Sequence, residues 1–308
     1  MVHFGVESAI TMEIYIWNTV IVLTKTAFYV GFACIAGYTF FGNVYGGNTL
    51  ENGERRSFSQ ITLIAALIAF LANAIWFFAN TGAMVEEGIV GALDLDMISI
   101  MWDSSIGDTT LWRLIGLIGV AIVVISSQFC VWKLTKYVLN AVLVICLFFL
   151  SYSFTLAGHV SVMGVFEKGL LMVHVIVMAW WFGALYPLKK ACNKLEFEKL
   201  YQLMERFGKQ ASVMVSLLLI AGLLLAIQLV GGLDALLFTN YGQTILVKLL
   251  LVICVMKIAA THKLKLVPQL KNNDGRKTLS KSISIEMFVA IAILSVTAVL
   301  TSIVGPVN

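Results

Sequence analysis

The chain is short of charge and of proline. Only 12% of its 308 residues are charged, 60% are hydrophobic, and three are proline. Because a soluble domain is about a quarter charged and about half apolar, these proportions exclude an ordinary water-soluble fold. No Ser/Pro/Gly-rich linker divides the sequence. The mean hydropathy of +0.93 instead predicts an integral membrane protein of α-helices, surrounded by a lipid bilayer.

Several motifs with a chemical meaning are also missing. No nucleophile elbow, phosphate-binding loop or HExxH pattern occurs, so no enzyme is predicted. No basic stripe stands outside the loops, which leaves nucleic-acid binding without support. The N-terminus lacks the pattern of a cleaved signal peptide. Five cysteines form no CxxC pair and none falls in a predicted external loop, so neither disulfides nor a zinc site is expected.

Long apolar segments are what the sequence does contain. Eight of them stand out, each able to cross about 30 Å of hydrocarbon as a helix. They run over residues 15–41, 58–82, 111–132, 137–157, 165–188, 211–231, 243–261 and 283–304. We therefore predict an all-α polytopic protein with about eight transmembrane helices and both termini on one side of the membrane.

The charges are sorted between alternate loops. Sixteen of the 21 Lys and Arg residues lie in four alternate loops, which the positive-inside rule places in the cytoplasm. Both termini are then external. The external segment 83–110 is acidic, and its apolar residues predict a helix on the outer surface. We divide the chain into an N-terminal four-helix half, 1–160, which carries this segment, and a C-terminal half, 161–308.

A faint internal repeat links the two halves. "GDTTLWR" at Gly107–Arg113 opens the third apolar segment, and "GQTILVK" at Gly242–Lys248 opens the seventh. Both contain a glycine, a threonine and a basic residue six positions after the glycine. Four segments separate them, so the repeat predicts a parallel four-plus-four duplication of the kind found in some transporters.

Two histidines are candidates for metal binding. His159 closes the fourth segment and His174 lies two turns inside the fifth, so both belong to the outer half of the membrane. Met163 and Met172 are close to them in sequence. Imidazole and thioether ligands suit copper, and thioethers favour Cu(I) over Cu(II). The alternative is that these are packing residues. The same choice applies to Cys34, Cys146 and Cys254, either soft ligands for Cu(I) or small core residues.

Five basic residues lie outside the cytoplasmic loops. Lys25 is about 12 Å inside the bilayer from Trp17, so we expect it to have a polar partner. Arg113, Lys168 and Lys248 lie near the ends of their segments, where the side chain either extends to the interface or lines a polar cavity. In the second case Arg113 and Lys248 would pair with acidic groups around an outer vestibule. Lys257 is expected to reach the cytoplasmic interface. His3 and His262 carry no functional prediction.

Several segments together resemble the CopD-type copper resistance membrane proteins. "HVIVMAWWFGALYPL" at 174–188 resembles the family's H-x6-W-x-G-G-L signature, with Ala184 where the family usually has a second glycine. "TNYGQTILVK" resembles its T-x-Y-G segment followed by a lysine. Three further segments match in order: "AGHVS" at 157–161, "HKLKLVPQL" at 262–270 and "KSISIEM" at 281–287, which includes Glu286.

The resemblance covers about the C-terminal half of the chain and implies a copper-handling protein of the bacterial inner membrane. It carries over His159, His174, Trp181, Tyr241 and Lys248 as motif positions, without saying which of them bind metal. The leading hypothesis is a permease that moves copper ions inward from the periplasm. One alternative is a haem-binding electron carrier with His159 and His174 as axial ligands. Another is a non-transporting membrane partner of periplasmic copper-binding proteins.

Overall fold

A computed structural model describes residues 2–45, 52–129, 133–270 and 273–305. Within those ranges the chain is almost wholly helical and contains no strand, so the all-α prediction is confirmed. The eleven α-helices are α1 (Val2–Tyr45), α2 (Asn52–Val85), α3 (Gly88–Ala92), α4 (Leu95–Trp102), α5 (Ser105–Phe129), α6 (Lys133–Tyr152), α7 (Val165–Lys194), α8 (Phe197–Val230), α9 (Leu233–Phe238), α10 (Asn240–Thr261) and α11 (Asn273–Leu300).

Among the described residues, eight helices are long and apolar enough to cross a membrane, as predicted: α1, α2, α5, α6, α7, α8, α10 and α11. Eight crossings leave both ends of the chain on the same side. We call that side the acidic end, because it carries the connection from α2 to α5. The opposite side is the basic end, with the connections from α7 to α8 and from α10 to α11. That the acidic end faces outward stays a prediction from the loop charges.

The acidic segment folds into two short helices, α3 and α4, which agrees with the predicted surface helix. The Asp94 side chain caps α4 by accepting a hydrogen bond from the amide of Met97 at 2.9 Å. Glu13 on α1 accepts hydrogen bonds from the Trp17 indole and from the amide of Gly88. The segment is therefore fastened to the first transmembrane helix.

Six of the eight spans form most of the hydrophobic core, while α8 and α10 lie at its periphery and contribute only Leu200, Met204 and Val255 to its buried residues. In the most apolar stretch of α1, 50% of the residues are buried, against 11% in α8 and in α10. The main cluster is centred on α1 and α7, with Phe28, Phe32 and Ile35 fully buried beside Leu185. Most of the apolar surface of α8 and α10 consequently faces the surroundings of the bundle, which is stable where these are lipid.

Helices α1 and α7 cross at two glycines. A Cβ atom built on Gly183 would lie 1.9 Å from the carbonyl oxygen of Ala33, and one built on Gly37 would lie 2.1 Å from the carbonyl carbon of Gly183. No side chain fits there, so the two backbones are in direct contact. Small residues commonly allow such close packing between membrane helices.

The two segments of the sequence repeat share a local arrangement. Gly107 is the third residue of α5 and packs against Trp102 at the end of α4, and Gly242 is the third residue of α10 and packs against Leu236 in α9. In both places a short helix precedes a transmembrane helix, and a Cβ on the glycine would clash with it. This likeness supports the predicted duplication, which stays a prediction.

Candidate functional site

His174 is held between α7 and α8. Its Nδ1 atom lies 3.1 Å from the carbonyl oxygen of Leu218. Because a carbonyl only accepts hydrogen bonds, Nδ1 carries the proton, and whenever the ring is neutral Nε2 presents its lone pair. Gly222 leaves room for the ring, since a Cβ there would lie 2.8 Å from Cε1. A backbone carbonyl that fixes one ring nitrogen is the usual support of a metal-binding histidine.

His159 lies in a different neighbourhood. It begins the short 3₁₀ turn His159–Val162 before α7, it is exposed, and its ring lies beside Gly305 near the end of the chain. His174 is nine residues inside α7, about 14 Å along the helix axis from Val165. The contacts of the two rings thus involve different elements, α8 for His174 and the chain after α11 for His159.

The two predicted methionines are not equivalent. Met163 is half-buried and links the 3₁₀ turn to α7. Met172 is two residues before His174, and residues with that spacing project from different faces of a helix. The methionine that shares the His174 face is Met178, four residues further along α7, which is half-buried against the main core. Side chains in a helix lean toward its N-terminus, so the Met178 thioether leans toward His174.

Larger clusters of metal ligands are absent from the described ranges. There, no three His, Cys, Asp or Glu side chains come together in a way that could hold a metal ion. Cys34, Cys146, Cys192 and Cys254 are free thiols on four different helices, and Cys130 lies outside the described residues. A metal ion on His174 would therefore need other ligands, such as thioethers, beside the imidazole.

Arg113 is buried in the acidic-end half of the bundle, with only 2% of its surface exposed. The prediction that its side chain extends to the interface is therefore wrong. Its guanidinium carbon lies 4.0 Å from the ring centre of Phe28 and 4.7 Å from that of Trp76. Nη1 and Nε donate hydrogen bonds of 3.4 Å to Asn73 and Ser153. Among the described residues no carboxylate pairs with it, so the expected acidic partner is replaced by aromatic faces.

Lys25 has the polar partner that its depth required. Its Nζ atom donates hydrogen bonds of 3.0 Å to the carbonyl oxygen of Thr301 and to Oγ of Ser302, just after α11. Tyr29, one turn further along α1, lies with its hydroxyl 3.4 Å from Oγ1 of Thr301. Carbonyl groups at the end of a helix attract cations, so Lys25 caps α11 while joining it to α1.

Motif residues at the start of α10 pack against other helices or cap the helix. Tyr241 is buried in a small cluster with Ile245 and Leu300. Thr239 caps α10, accepting a hydrogen bond of 3.0 Å from the amide of Gly242, which accounts for two further positions of the "TNYG" segment. Lys248 is half-buried. No acidic partner of Lys248 is found in the part of the chain that the structure describes.

Trp181 leads to a network that the sequence interpretation missed. Its indole Nε1 donates a hydrogen bond of 3.2 Å to Oε1 of Glu286, and Oε2 of the same carboxylate lies 3.1 Å from Nδ1 of His262. His262 was given no functional prediction because it stands among cytoplasmic lysines. The signal available was Glu286, a lone acid in the last apolar segment, since an acid at that depth requires a partner.

Comparison with known proteins identifies the family of the chain. The family profile "Copper resistance protein D" matches residues 201–300, and "Copper resistance protein D-like, N-terminal domain" matches residues 15–166. The chain is also 28% identical over 155 residues to the "Copper transport protein CutJ" of Bacillus subtilis (strain 168). That alignment covers 48% of this chain but only 28% of the length of CutJ. No solved structure matches. The two profiles together cover most of the sequence, and the chain belongs to the CopD-type family of copper resistance membrane proteins.

Proposed function

We propose that the protein is a copper permease that moves copper ions from the periplasm toward the cytoplasm across the bacterial inner membrane. His174 is its central ligand, and His159 at the acidic end is the first imidazole that an arriving ion meets. The observation that carries the proposal is the hydrogen bond between Nδ1 of His174 and the Leu218 carbonyl, which leaves Nε2 available to a metal.

The ligands beyond His174 follow one face of α7. Met178 lies one turn closer to the basic end than His174, and its thioether suits Cu(I) better than Cu(II). Met163 belongs to the exposed acidic-end part of the route. Met172 projects from another face of α7, so we assign it a smaller effect than Met178. A chain of weak, successive ligands allows an ion to enter and also to leave, as conduction requires.

The proposal includes the halves 1–160 and 161–308 as two bundles around this route. The matching glycines Gly107 and Gly242 support such a division. A periplasmic copper-binding protein would supply the ion at the acidic end. The curated relative is named as a copper transport protein, and the aligned part of this chain spans 28% of the length of that relative.

The test is Cu(I) binding and transport with matched variants. Purified protein would compete anaerobically with a chromophoric Cu(I) chelator, and reconstituted vesicles would contain a Cu(I) probe. We expect His174→Ala to weaken binding and to slow uptake at least tenfold, about 1.4 kcal/mol, with a smaller effect of His159→Ala. Met12→Leu, an exposed methionine on α1, serves as the control and should change neither quantity.

Three outcomes would contradict the permease assignment. Normal binding and uptake by the double variant His159→Ala/His174→Ala would remove both histidines from the route. Tight binding without any uptake would favour a non-transporting partner of periplasmic copper proteins. A red protein with a Soret band would favour haem, an alternative with less support because the two rings have contacts on different elements.

A further inference from the structure

A buried acid–imidazole pair connects three transmembrane helices in the half of the bundle near the basic end. Glu286 on α11 is 2% exposed and, in the described ranges, is the only acidic side chain that is buried. Its carboxylate contacts Trp181 of α7 through Oε1 and His262, which directly follows α10, through Oε2. Nε2 of His262 lies 2.7 Å from Oγ of Ser282 on α11.

The hydrogen bonds around His262 can form whether its ring is neutral or protonated. Neutral His262 donates through Nδ1 to Glu286 and accepts at Nε2 from the Ser282 hydroxyl. Protonated His262 donates through both nitrogens, and the same hydroxyl then accepts, because a serine hydroxyl can do either. Imidazole is the side chain that ordinarily exchanges protons near neutral pH. The pair can thus gain or lose a proton without leaving a buried polar atom unpaired.

The backbone at His262 is also unusual. Residues His262–Leu266 form a π-helical turn, in which the amide of Val267 donates to the carbonyl oxygen of His262 at 2.9 Å. Single π turns inside membrane helices occur frequently at functional sites. The turn continues into the exposed residues Lys263 and Leu264, so His262 lies between the buried carboxylate and the surface of the basic end.

Other charged groups at this end are engaged elsewhere or exposed. Lys263 donates to Oγ of Ser212 on α8, and Arg276 on α11 donates to the carbonyl oxygen of Leu195 after α7. Lys190 on α7 donates to Oγ of Ser57 on α2. Lys257 and Lys281, on α10 and α11, are exposed. Within the described residues, the nearest recorded charged partner of Glu286 is therefore His262 itself.

Trp181 connects this pair to the proposed copper route. It lies seven residues after His174 on the same face of α7, about 10 Å along the axis, with Met178 between them. An ion that passes Met178 therefore approaches the tryptophan that donates to Glu286. A positive ion favours the negatively charged carboxylate, and a bound proton disfavours the ion.

We propose that Glu286 and His262 form a proton-binding site, in exchange with the basic end, whose occupancy is coupled to the movement of copper past Trp181. In the step, an O–H bond of a hydronium ion at the basic end breaks, and its proton forms an N–H bond at Nε2 of His262, after which the Ser282 hydroxyl accepts from Nε2 instead of donating to it. The proton on Nδ1 then leaves that nitrogen and forms an O–H bond with Oε2 of Glu286. No electrons are exchanged. The coupling rests on the proposed copper permeation, whereas the proton site does not.

The proton site is tested without copper. Infrared difference spectra of the purified protein, recorded as the pH is stepped, should contain the carbonyl band of a buried carboxylic acid. The band should disappear in Glu286→Gln, which keeps an oxygen to accept from Trp181, and persist in Glu205→Gln, an exposed acid paired with Lys209. His262→Gln should shift the pH at which the band appears. A band unchanged in Glu286→Gln, or absent from the parent, would overturn the assignment.

The coupling is tested in vesicles that report both copper and protons. We expect Cu(I) uptake by the parent to change at least fivefold with internal pH and to be accompanied by a proton flux. In Glu286→Gln the pH dependence and the flux should be lost, while Trp181→Phe, which removes only the indole donor, should weaken both. Uptake with unaltered pH dependence in Glu286→Gln would refute coupling. A parent without any uptake would refute permeation, and the infrared result would still decide the proton site.

Discussion

The ammonium group of Lys25 donates a hydrogen bond of 3.0 Å to the carbonyl oxygen of Thr301, so the first transmembrane helix holds the end of the last. The same group reaches Oγ of Ser302 at 3.0 Å. Both contacts lie among apolar helices, where a charged hydrogen bond contributes about 1.5–3 kcal/mol and an unpaired charge is costly.

A double-mutant cycle measures this connection. Ser302→Ala should lower stability by about 1–2 kcal/mol while Lys25 is present, because the ammonium group loses one partner. In the Lys25→Met background the same substitution should have almost no effect. Thermal unfolding in detergent gives the four values. Ser295→Ala, whose hydroxyl bonds only within α11, is the control, and additive effects of Lys25→Met and Ser302→Ala would contradict the contact.

Arg113 allows a test of how a buried cation is accommodated. Arg113→Lys keeps a charge but loses the planar group that lies over Phe28 and Trp76. Arg113→Met removes the charge and nearly preserves the volume. We expect the lysine variant to be less stable than the methionine variant by about 1–3 kcal/mol, measured as unfolding of both in the same micelles. Equal or reversed stabilities would imply that an unrecognised anion neutralises the site.

The contact between α1 and α7 predicts that the effect of a Gly→Ala substitution on stability depends strongly on its position in α7. Gly183→Ala places a Cβ 1.9 Å from the Ala33 carbonyl oxygen and should cost at least about 3 kcal/mol, or prevent folding. Gly169→Ala on the same helix meets no atom within 4 Å and should be neutral or stabilising by up to about 1 kcal/mol. Expression level and unfolding temperature measure both, and similar behaviour of the two variants would exclude direct backbone contact.

His174 can be disturbed without being replaced. Gly222→Ala introduces a Cβ 2.8 Å from its ring, which must turn and lose the Leu218 hydrogen bond. We expect Cu(I) affinity to fall roughly tenfold while the fold persists, in line with the effect of losing an orienting partner. Gly208→Ala on the same helix, 4.0 Å from the nearest atom, is the control. Unchanged affinity in Gly222→Ala would mean that ring orientation is irrelevant to binding.

Hydropathy predicted the number of spans, because each helix must satisfy its own backbone groups in lipid. It underestimated their length. The sixth span was predicted to begin at residue 211, yet α8 begins at Phe197, since its first turns carry charges and continue as a helix beyond the apolar stretch. A hydropathy profile reports only the part of a helix that suits hydrocarbon.

Side-chain partners were harder to predict than helices. The partners of Arg113 come from α1, α2 and the turn after α6, so they depend on which spans pack together rather than on any spacing in sequence. The Glu286–His262 pair was obscured because His262 stands in a basic segment that reads as a loop. His262 directly follows α10, and the antiparallel packing of α10 against α11 brings it to Glu286.

The glycine crossing has a mechanical consequence if the chain consists of the two predicted halves, 1–160 and 161–308. α1 belongs to the first half and α7 to the second, and at Gly37 and Gly183 they touch through main chain alone. Sliding one helix along the other would drive a Cβ-bearing neighbour into a backbone, so we expect any relative motion of the two helices to be a tilt about this contact. Gly183 is two residues from Trp181. A tilt of α7 against α1 at Gly183 would therefore move the Trp181 indole relative to the Glu286 carboxylate.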